Sequence, residues 1–445
     1  MSVTITGVQG ALTPAPSKAT LSTNYLGSSI EFTSQYLPDV YEQEFEKYGN
    51  RSVASFLRMV GAEMPFASDV IQWSEQGRLH LAVTGATRAA DVITSNGHPF
   101  RVGQTVIVSD GTDQEKAIVS ATTTNTFTVK SYENANLATA IAASGLKVFA
   151  YGSEFKKGTN GMSGSLEAAK DIQTNNPIII KDKYEVNGSD MAQIGWIEVT
   201  TENGASGYLW YLKSEHETRQ RFEDYLELSL IEGRPAASGS GAASDGYKGT
   251  KGLFYEVENR GNIATGSIAA RTDIEELIKV LDKEGAIQEN VMFVNRTKSF
   301  EIDTVLAAQN NSGASTASYG LFDNDESMAL NLGFQGFNLG YDFYKTDWKY
   351  LNDATTGSLT SAVDGVIVPA GTTTIYDQVL GKNATRPFLH VKYRKSEAED
   401  RKYKSWVVGS AGSAAMSSDL DAMQVHFLSE RALCVHGANN FILLK

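Results

Sequence analysis

Cys434, the single cysteine among 445 residues, is the one side chain that could act as a thiol nucleophile. His426 and His436 lie near it in the sequence, and an imidazole is the base that a catalytic thiol usually requires. The surrounding residues are apolar and strand-like, which is the usual setting of a buried, unreactive thiol. We therefore interpret Cys434 as a core residue. A lone cysteine also excludes an intrachain disulfide and favours a reducing compartment.

Metal-binding and phosphate-binding motifs are incomplete in this sequence. His216 and Glu217 begin a zinc-helix pattern, but Gln220 stands where the second histidine belongs. The acidic string at 323–325 lacks the glycine and closing glutamate of a calcium loop, so a solvated turn explains it better. The nucleophile-elbow, phosphate-loop and dinucleotide fingerprints do not occur. The sequence therefore predicts no catalytic residue, no cofactor and no metal site, and so no enzyme.

Two basic stretches interleaved with tyrosine, 392–395 and 401–404, are the best candidates for nucleic-acid contact. Alternating basic and aromatic residues can bind single strands by charge and stacking. Acidic residues at 397–400 lie between the two stretches and neutralise them. We therefore favour a hairpin with self-pairing charges, or a salt-bridged contact between subunits, over a nucleic-acid site.

The composition narrows the function classes further. The net charge is −13, which argues against a protein whose main role is to bind phosphate groups. It still permits a protein that encloses nucleic acid. Hydrophobic residues make up 41% and charged residues 20%, as in folded proteins. No apolar run reaches the length of a membrane span, and the first ten residues lack a signal-peptide pattern. The five tryptophans are best explained by packing.

The chain is longer than one ordinary core requires, and its elements change character along its length. Residues 3–23 are polar and lack periodicity, so they must lie on another surface or remain mobile. Short helices are predicted at 40–60, followed by an extended stretch at 70–80 and by four or five strands of a small β-module at 83–151. A returning extended stretch then leads to a long helix with a polar centre at 208–232. A Ser/Gly/Ala loop at 236–246 and a mixture of helices and strands complete the chain.

Taken in series, these elements and several short motifs resemble the Hong Kong 97-like major capsid proteins of tailed bacteriophages, particularly the crAss-like phages. The motifs are GNRS at 49–52, WSEQGRLH at 73–80, QIGW at 193–196, ERAL at 430–433 and GANNF at 437–441. The resemblance covers nearly the whole chain as an order of elements, and it implies an α+β fold with an N-terminal arm, an extended β-loop, a peripheral domain with a long spine helix, and an axial domain. The small all-β module would be an insertion into this fold.

The resemblance also implies domain boundaries. They are an N-terminal arm at 1–40, entry helices and an outgoing loop leg at 41–82, the inserted β-barrel or sandwich at 83–151, a returning leg at 152–200, a peripheral domain with the spine helix at 201–235, and an axial domain with returning peripheral strands at 236–445.

The resemblance further implies partners. These are copies of the same chain in hexamers and pentamers, auxiliary or decoration proteins, a portal, and enclosed double-stranded DNA, with no membrane, in a virion assembled in the bacterial cytoplasm. We expect subunit contacts through Trp73, Glu75, Arg78, Lys156, Lys157, Arg394 and Arg401. Some relatives cross-link their shells through a lysine, but Lys156 and Lys157 are better explained as exposed, solubilising residues.

Three alternatives remain open at the level of sequence. An encapsulin-like cargo shell would have the same fold without a portal. A β-rich carbohydrate-active hydrolase would use paired carboxylates in a cleft. A tail-tube or sheath protein would form open helical polymers.

Deleting residues 1–39 tests the expectation that the arm acts between subunits. Because such a polar segment cannot bury enough surface to fold alone, we expect the truncated chain to stay soluble but to form no closed particles in electron micrographs. Normal shells from the truncated chain would contradict the expectation.

Overall fold

The computed structural model describes residues 62–167, 170–192, 199–200, 206–207, 210–311, 336–357, 362–370, 372–377, 382–411 and 419–445. Several predictions lie outside these residues. They are the N-terminal arm at 1–40, the helices at 40–60, the motif at 193–196 and the acidic string at 323–325.

The described part of the chain is mixed α/β and mostly strands. In chain order the strands are β1 (Ala62–Phe66), β2 (Ile71–Gln76), β3 (Ala82–Ala89), β4 (Val92–Thr94), β5 (Gln104–Ser109), β6 (Gln114–Thr122), β7 (Thr126–Ser131), β8 (Leu146–Ser153), β9 (Lys170–Asn175), β10 (Ile178–Asn187), β11 (Val199–Thr200), β12 (Ser206–Gly207), β13 (Asn262–Ala264), β14 (Glu289–Val294), β15 (Gly336–Asn338), β16 (Asp342–Asp347), β17 (Gly365–Pro369), β18 (Thr372–Asp377), β19 (Lys382–Pro387), β20 (Leu389–Arg394), β21 (Lys404–Gly409), β22 (Ala422–Val435) and β23 (Ile442–Leu444).

The helices are fewer and vary in length. They are α1 (Gly188–Met191), α2 (Trp210–Ile231), α3 (Gly241–Ser244), α4 (Leu253–Arg260), α5 (Arg271–Glu284), α6 (Arg296–Asn311) and α7 (Lys349–Asn352), with short 3₁₀ turns at Leu137–Thr139 and Ala438–Asn440. The long helix predicted at 208–232 is present as α2. The loop predicted at 236–246 contains the single-turn α3, where the Ser240 hydroxyl accepts a hydrogen bond from the Ala243 amide.

The chain divides into two compact units. One, the split unit, comprises Met1–Gln72 and Thr174–Lys445, and the other, the barrel unit, is Trp73–Gln173. The strands β2 and β9, which cross the two boundaries, pair with each other in a two-stranded sheet.

A closed six-stranded barrel forms the core of the barrel unit, with strand order β3-β4-β7-β6-β5-β8. Its strands run from residue 82 to 153, and the β-module was predicted at 83–151. The interior is filled by apolar side chains from the strands and from the 3₁₀ turn at Leu137–Thr139. The largest of these are Phe127, Ile93, Leu137 and Leu146.

The turn between β5 and β6 is held by Asp110, which begins an Asp-Gly pair of the kind that favours tight turns between strands. The Asp110 carboxylate accepts hydrogen bonds from the amides of Thr112 and Asp113 and from the distant amide of Ala142. Gly111 adopts a positive φ of 100°, which a side chain would disfavour. These three bonds lower the pKa of Asp110 to about 2, with the Asp113 and Ala142 amides as the largest causes.

The longest strand, β22, organises a five-stranded sheet in the split unit. It pairs antiparallel with β10 along one side, from Ile178↔Arg431 to Asn187↔Ala422. On its other side it pairs with β21 and then with β20, and β20 in turn pairs parallel with β1. Within the returning stretch predicted at 152–200, β10 forms a strand of this sheet. The reason is its alternation: Ile180, Tyr184 and Val186 are buried in the sheet core.

The long helix α2 packs across this sheet. Phe222 and Leu226 on the helix are buried against Tyr184 and Val186 of β10 and against Val425 and Phe427 of β22. Polar side chains of α2 also contact the sheet, and Arg221 forms an ion pair with Asp182 of β10 at 3.2 Å. Glu215 and Arg219, four residues apart on α2, form an ion pair at 3.8 Å.

A second, six-stranded sheet has the order β13-β23-β17-β14-β16-β15 and is covered on both faces. On one face, α5 and α6 bury side chains such as Leu281 and Ile302 against Met292 and Ile367. The other face contributes Phe293, Val366 and Leu443 to a central core that also contains side chains of α2, α4, β20 and β22. This central core joins the two sheets of the split unit into one compact body.

Asn175, at the end of β9, stabilises the turn into β10 by hydrogen bonds to distant parts of the chain. Its side-chain amide donates to the carbonyls of Lys251 and Leu433 at 3.0 and 2.7 Å. Its side-chain oxygen accepts from the Thr250 hydroxyl and from the amides of Lys251 and Asn176. The residue is buried, and all its hydrogen-bonding groups are used.

Replacing Asn175 with aspartate tests this role. The carboxylate would place negative charge against two backbone carbonyls that now accept hydrogen bonds. We expect the free energy of unfolding to fall by about 3 kcal/mol, measured by denaturant titration. The matched control is Asn176→Asp, next to it and only partly buried, which should cost far less. Equal losses in the two variants would contradict the role.

Because of the Asp110 turn, we expect the stability of the folded protein to fall at acidic pH. Because the pKa of Asp110 is depressed in the folded chain, its contribution is complete above the usual carboxyl pKa near 3.8 and is lost as the pH falls towards 2. We expect an NMR titration of the Asp110 carboxyl to have its midpoint near pH 2. In Asp110→Asn, the fall in melting temperature between pH 4 and pH 2 should be smaller than in the unmodified protein. A midpoint near 3.8 would refute the assignment.

Candidate functional site: a charged network on the five-stranded sheet

Two of the predicted contact residues, Arg394 and Arg401, converge on one carboxylate. Glu430 of β22 is 5% exposed, accepts a hydrogen bond from Arg394 at 3.0 Å and forms an ion pair with Arg401 at 2.7 Å. Arg394 also contacts Asp69 at 2.6 Å. The hydrogen bonds to Glu430 and then to Asp69 raise the pKa of Arg394. Sheet register explains the convergence, because Arg394 ends β20 where it lies beside β22, and Arg401 lies in the connection to β21.

A second acid, Glu63 of the edge strand β1, forms the other centre of the network. It pairs with Arg431 of β22 at 2.8 Å and contacts Lys402. The Lys402 ammonium also lies 5.2 Å from the centre of the Tyr393 ring, within range of a cation–π interaction. Lys402 therefore has two favourable contacts within its own chain.

The connection between β20 and β21 folds back on itself through further ion pairs. Lys395 pairs with Asp400 at 3.0 Å and Lys404 with Glu399 at 2.8 Å. The hydrogen bond from Lys404 holds the pKa of Glu399 below its usual value. The Lys402 amide and then Lys395 do the same for Asp400. The predicted self-pairing of charges is therefore present in this connection, although β20 and β21 each pair with β22 and not with each other.

The cations of this network are all paired with carboxylates, and this limits what the network can bind. Each of its six cations has a carboxylate within 3.0 Å, so little positive charge is left to attract phosphate. The cations are Arg394, Lys395, Arg401, Lys402, Lys404 and Arg431. The network can fix the shape of the connecting segment, and it can exchange ion pairs with a neighbouring surface of mixed charge.

The remaining predicted contact residues lie in the barrel unit and form a different group. The Trp73 indole donates to Glu75 at 3.0 Å along one face of β2. Arg78, Lys156 and Lys157 have exposed side chains. The backbone carbonyl of Lys156 closes a turn with Thr159. The structure therefore brings together Trp73 with Glu75, and Arg394 with Arg401.

The candidate nucleophile Cys434 is 1% exposed and lies inside the five-stranded sheet. Its neighbour across the strands is His390, a residue that the sequence gave no reason to select. The His390 ring packs 4.8 Å from the His436 ring. His426 instead stacks on Trp406 at 5.2 Å. Burial lowers the pKa of His426, with Lys183 adding to the effect. The Cys434 side chain therefore belongs to the buried core, as its apolar surroundings in the sequence indicated.

Neither a metal site nor a membrane span emerges from the described residues. Within them, no three His, Cys, Asp or Glu side chains are grouped as a metal ion requires. No helix in the same residues combines the length and apolar character that crossing a bilayer demands.

Removing the shared carboxylate tests the network. In Glu430→Gln, two guanidinium groups lose their common partner, so we expect the free energy of unfolding to fall by about 2 kcal/mol, a value discounted for the partial exposure of both arginines. Glu397→Gln, in the exposed part of the same connection, is the matched control and should leave stability nearly unchanged. Indistinguishable denaturation midpoints for the two variants would mean that the network contributes no stability.

Comparison with known proteins gives a likeness in fold alone. No family model and no curated protein matches this chain. Among solved structures, it is similar to Gordonia phage Cozz, with 8% identity and a TM-score of 0.43 over 96% of this chain and 98% of the other. It is similar to the capsid structure of the cyanophage P-SCSP1u, with 8% identity, a TM-score of 0.42 and the same coverage. The capsid of a native GTA particle matches with 10% identity and a TM-score of 0.41 over 94% and 99% of the two chains. These matches are structures of phages and capsids, which is the family that the sequence was found to resemble.

Proposed function

We propose that this chain is the major capsid protein of a tailed bacteriophage. In this proposal it has a Hong Kong 97-like fold with an inserted β-barrel, and it assembles into hexamers and pentamers that enclose double-stranded DNA. The chain would act as a structural subunit and not as an enzyme.

The main support for the proposal is exposed apolar surface on β21, a strand at the edge of the five-stranded sheet. Among the described strands, β21 pairs with β22 alone, so its second edge has no strand beside it. Trp406 and Val407, on opposite faces of β21, are 37% and 45% exposed. Soluble monomers normally protect such an edge with charge, proline or a covering element. An edge with this much exposed apolar surface suits a chain whose copies cover one another.

The order of elements supports the same proposal. The paired strands β2 and β9 correspond to the two legs of an extended loop, with the barrel between them. The helix α2 on the five-stranded sheet corresponds to the spine helix of a peripheral domain. The six-stranded sheet with α5 and α6 corresponds to an axial domain. Residues 1–40 would supply the arm. These correspondences rest on the resemblance in element order.

Charge supports an enclosing role towards DNA. The net charge is −13, and the two basic stretches are neutralised within the chain. A wall of this kind would hold packaged DNA by confinement, without sequence-specific binding. Assembly in the bacterial cytoplasm, a portal, and auxiliary or decoration proteins belong to the same proposal.

Electron microscopy and sedimentation of the full chain expressed in bacteria test the proposal. We expect closed shells of fivefold and sixfold capsomers. A compact monomer at high concentration, or open helical tubes, would refute it. Shells that co-purify with a packed protein and never with phage DNA during infection would instead indicate an encapsulin-like compartment.

A substitution at the strand edge gives a sharper test. In Val407→Glu, a charge would have to be desolvated wherever a neighbouring copy covers β21. We expect closed shells to disappear while the melting temperature of the unassembled subunit changes little, because the side chain is already half exposed. Val407→Thr keeps the shape and the strand preference, and should still assemble. Normal shells from Val407→Glu would show that this edge is not a contact.

A further inference from the structure

The outer surface of the barrel has a shallow groove with exposed aromatic side chains. The groove has a volume of about 600 Å³ and is lined by residues of β5, β6 and β8 and by residues just after β7 and β8. Thr105 of β5 and Lys116 of β6 are among its lining residues. Tyr132, just after β7, and Tyr151 of β8 contribute the two rings. Glu154 lies just after β8.

Tyr151 faces solvent, as the alternation along β8 requires, and it lies at a β-bulge. Thr105 pairs with Gly152, but the next residue of β5, Val106, pairs with Ala150. Tyr151 is therefore the extra residue of β8 at this point. It is 47% exposed. Gly152 leaves little room for a side chain, since a Cβ there would lie 3.0 Å from the Thr105 hydroxyl.

Tyr132 is held in place by its hydroxyl. The phenol donates to the Glu154 carboxylate, and the backbone amide of Tyr132 donates to the Lys116 carbonyl. Partial burial and the bond to Glu154, with smaller effects from the charges of Glu154 and Tyr151, raise the pKa of Tyr132 to about 12. The phenol is therefore protonated at neutral pH, and its ring is anchored at both ends while remaining 48% exposed.

The combination of groups defines a chemical class of ligand. Two half-exposed phenol rings offer apolar faces next to polar edges. Around them, Thr105, Lys116, Glu133 and Glu154 supply hydrogen-bond donors and acceptors. A flat ring with an apolar C–H face and hydroxyl groups around its rim satisfies both requirements, and that is the structure of a pyranose sugar. The two carboxylates argue against an anionic ligand.

We propose that this groove binds a neutral saccharide, with a pyranose ring stacked on Tyr151 and its hydroxyl groups bonded to the polar side chains around it. The site lies entirely within the barrel unit. It does not depend on the capsid proposal, because a free chain and an assembled one would both carry it.

The test uses full-length protein and immobilised neutral oligosaccharides of glucose, mannose, galactose and N-acetylglucosamine, with binding followed by biolayer interferometry. We expect at least one of these probes to bind. Tyr151→Ala should weaken that binding by roughly tenfold or more, because it removes the stacking surface. Tyr151→Phe keeps the ring and should retain most of the affinity.

Two controls make every outcome informative. Tyr247→Ala removes another exposed tyrosine, in the split unit, and should leave binding unchanged. Unaltered melting temperatures would show that each variant is folded. The proposal is overturned if none of the four probes binds, or if Tyr151→Ala binds as well as the unmodified chain. It is also overturned if Tyr151→Ala alters only association between copies, because the groove would then be a protein contact.

Discussion

The register of β22 is the constraint on which the rest of the split unit depends. One strand of 14 residues pairs with β10 on one side and with β21 and β20 on the other. Because side chains alternate between the two faces, a slip of one residue would turn every buried side chain of β22 to the opposite face. Val425 and Phe427 would leave the core beneath α2, and Leu433 and Val435 would leave the central core. One register therefore holds two hydrophobic clusters in place.

The same register positions the charged network. Glu430 and Arg431 are consecutive residues and point to opposite faces of the sheet, yet each has a partner of opposite charge. A buried carboxylate is costly unless it is paired, and two guanidinium groups satisfy Glu430. These ion pairs can form only when β20, β22 and the connection after β20 are in their correct register. Their partners come from β1, from the segment after it, and from residues 394–404, so the network also ties the edge of the sheet to its centre.

The barrel shows how a compact unit can carry an outward-facing surface. Its interior is closed by its own apolar residues, such as Phe127 and Leu146, and needs no further cover. Its outer face is then free to vary, and the bulge at Tyr151 and the bond between Tyr132 and Glu154 shape that face without disturbing the interior. Loops and surface strands on a rigid scaffold are where binding functions commonly reside.

The sequence by itself determined the local elements whose pattern is strong. The polar-centred helix α2, the turn at Asp110 and the self-paired charges of 392–404 follow from spacing, turn chemistry and composition, all of which act between residues close in the chain. The sequence did not reveal the short helix α4, the hairpin of β18 and β19, the place of β10 in the sheet, or the pairing of Cys434 with His390. Only the tertiary structure decided that Asn175 would join Lys251 to Leu433 and that Tyr132 would meet Glu154. These contacts link residues far apart in the chain, and no local pattern encodes a partner that sheet register brings within reach.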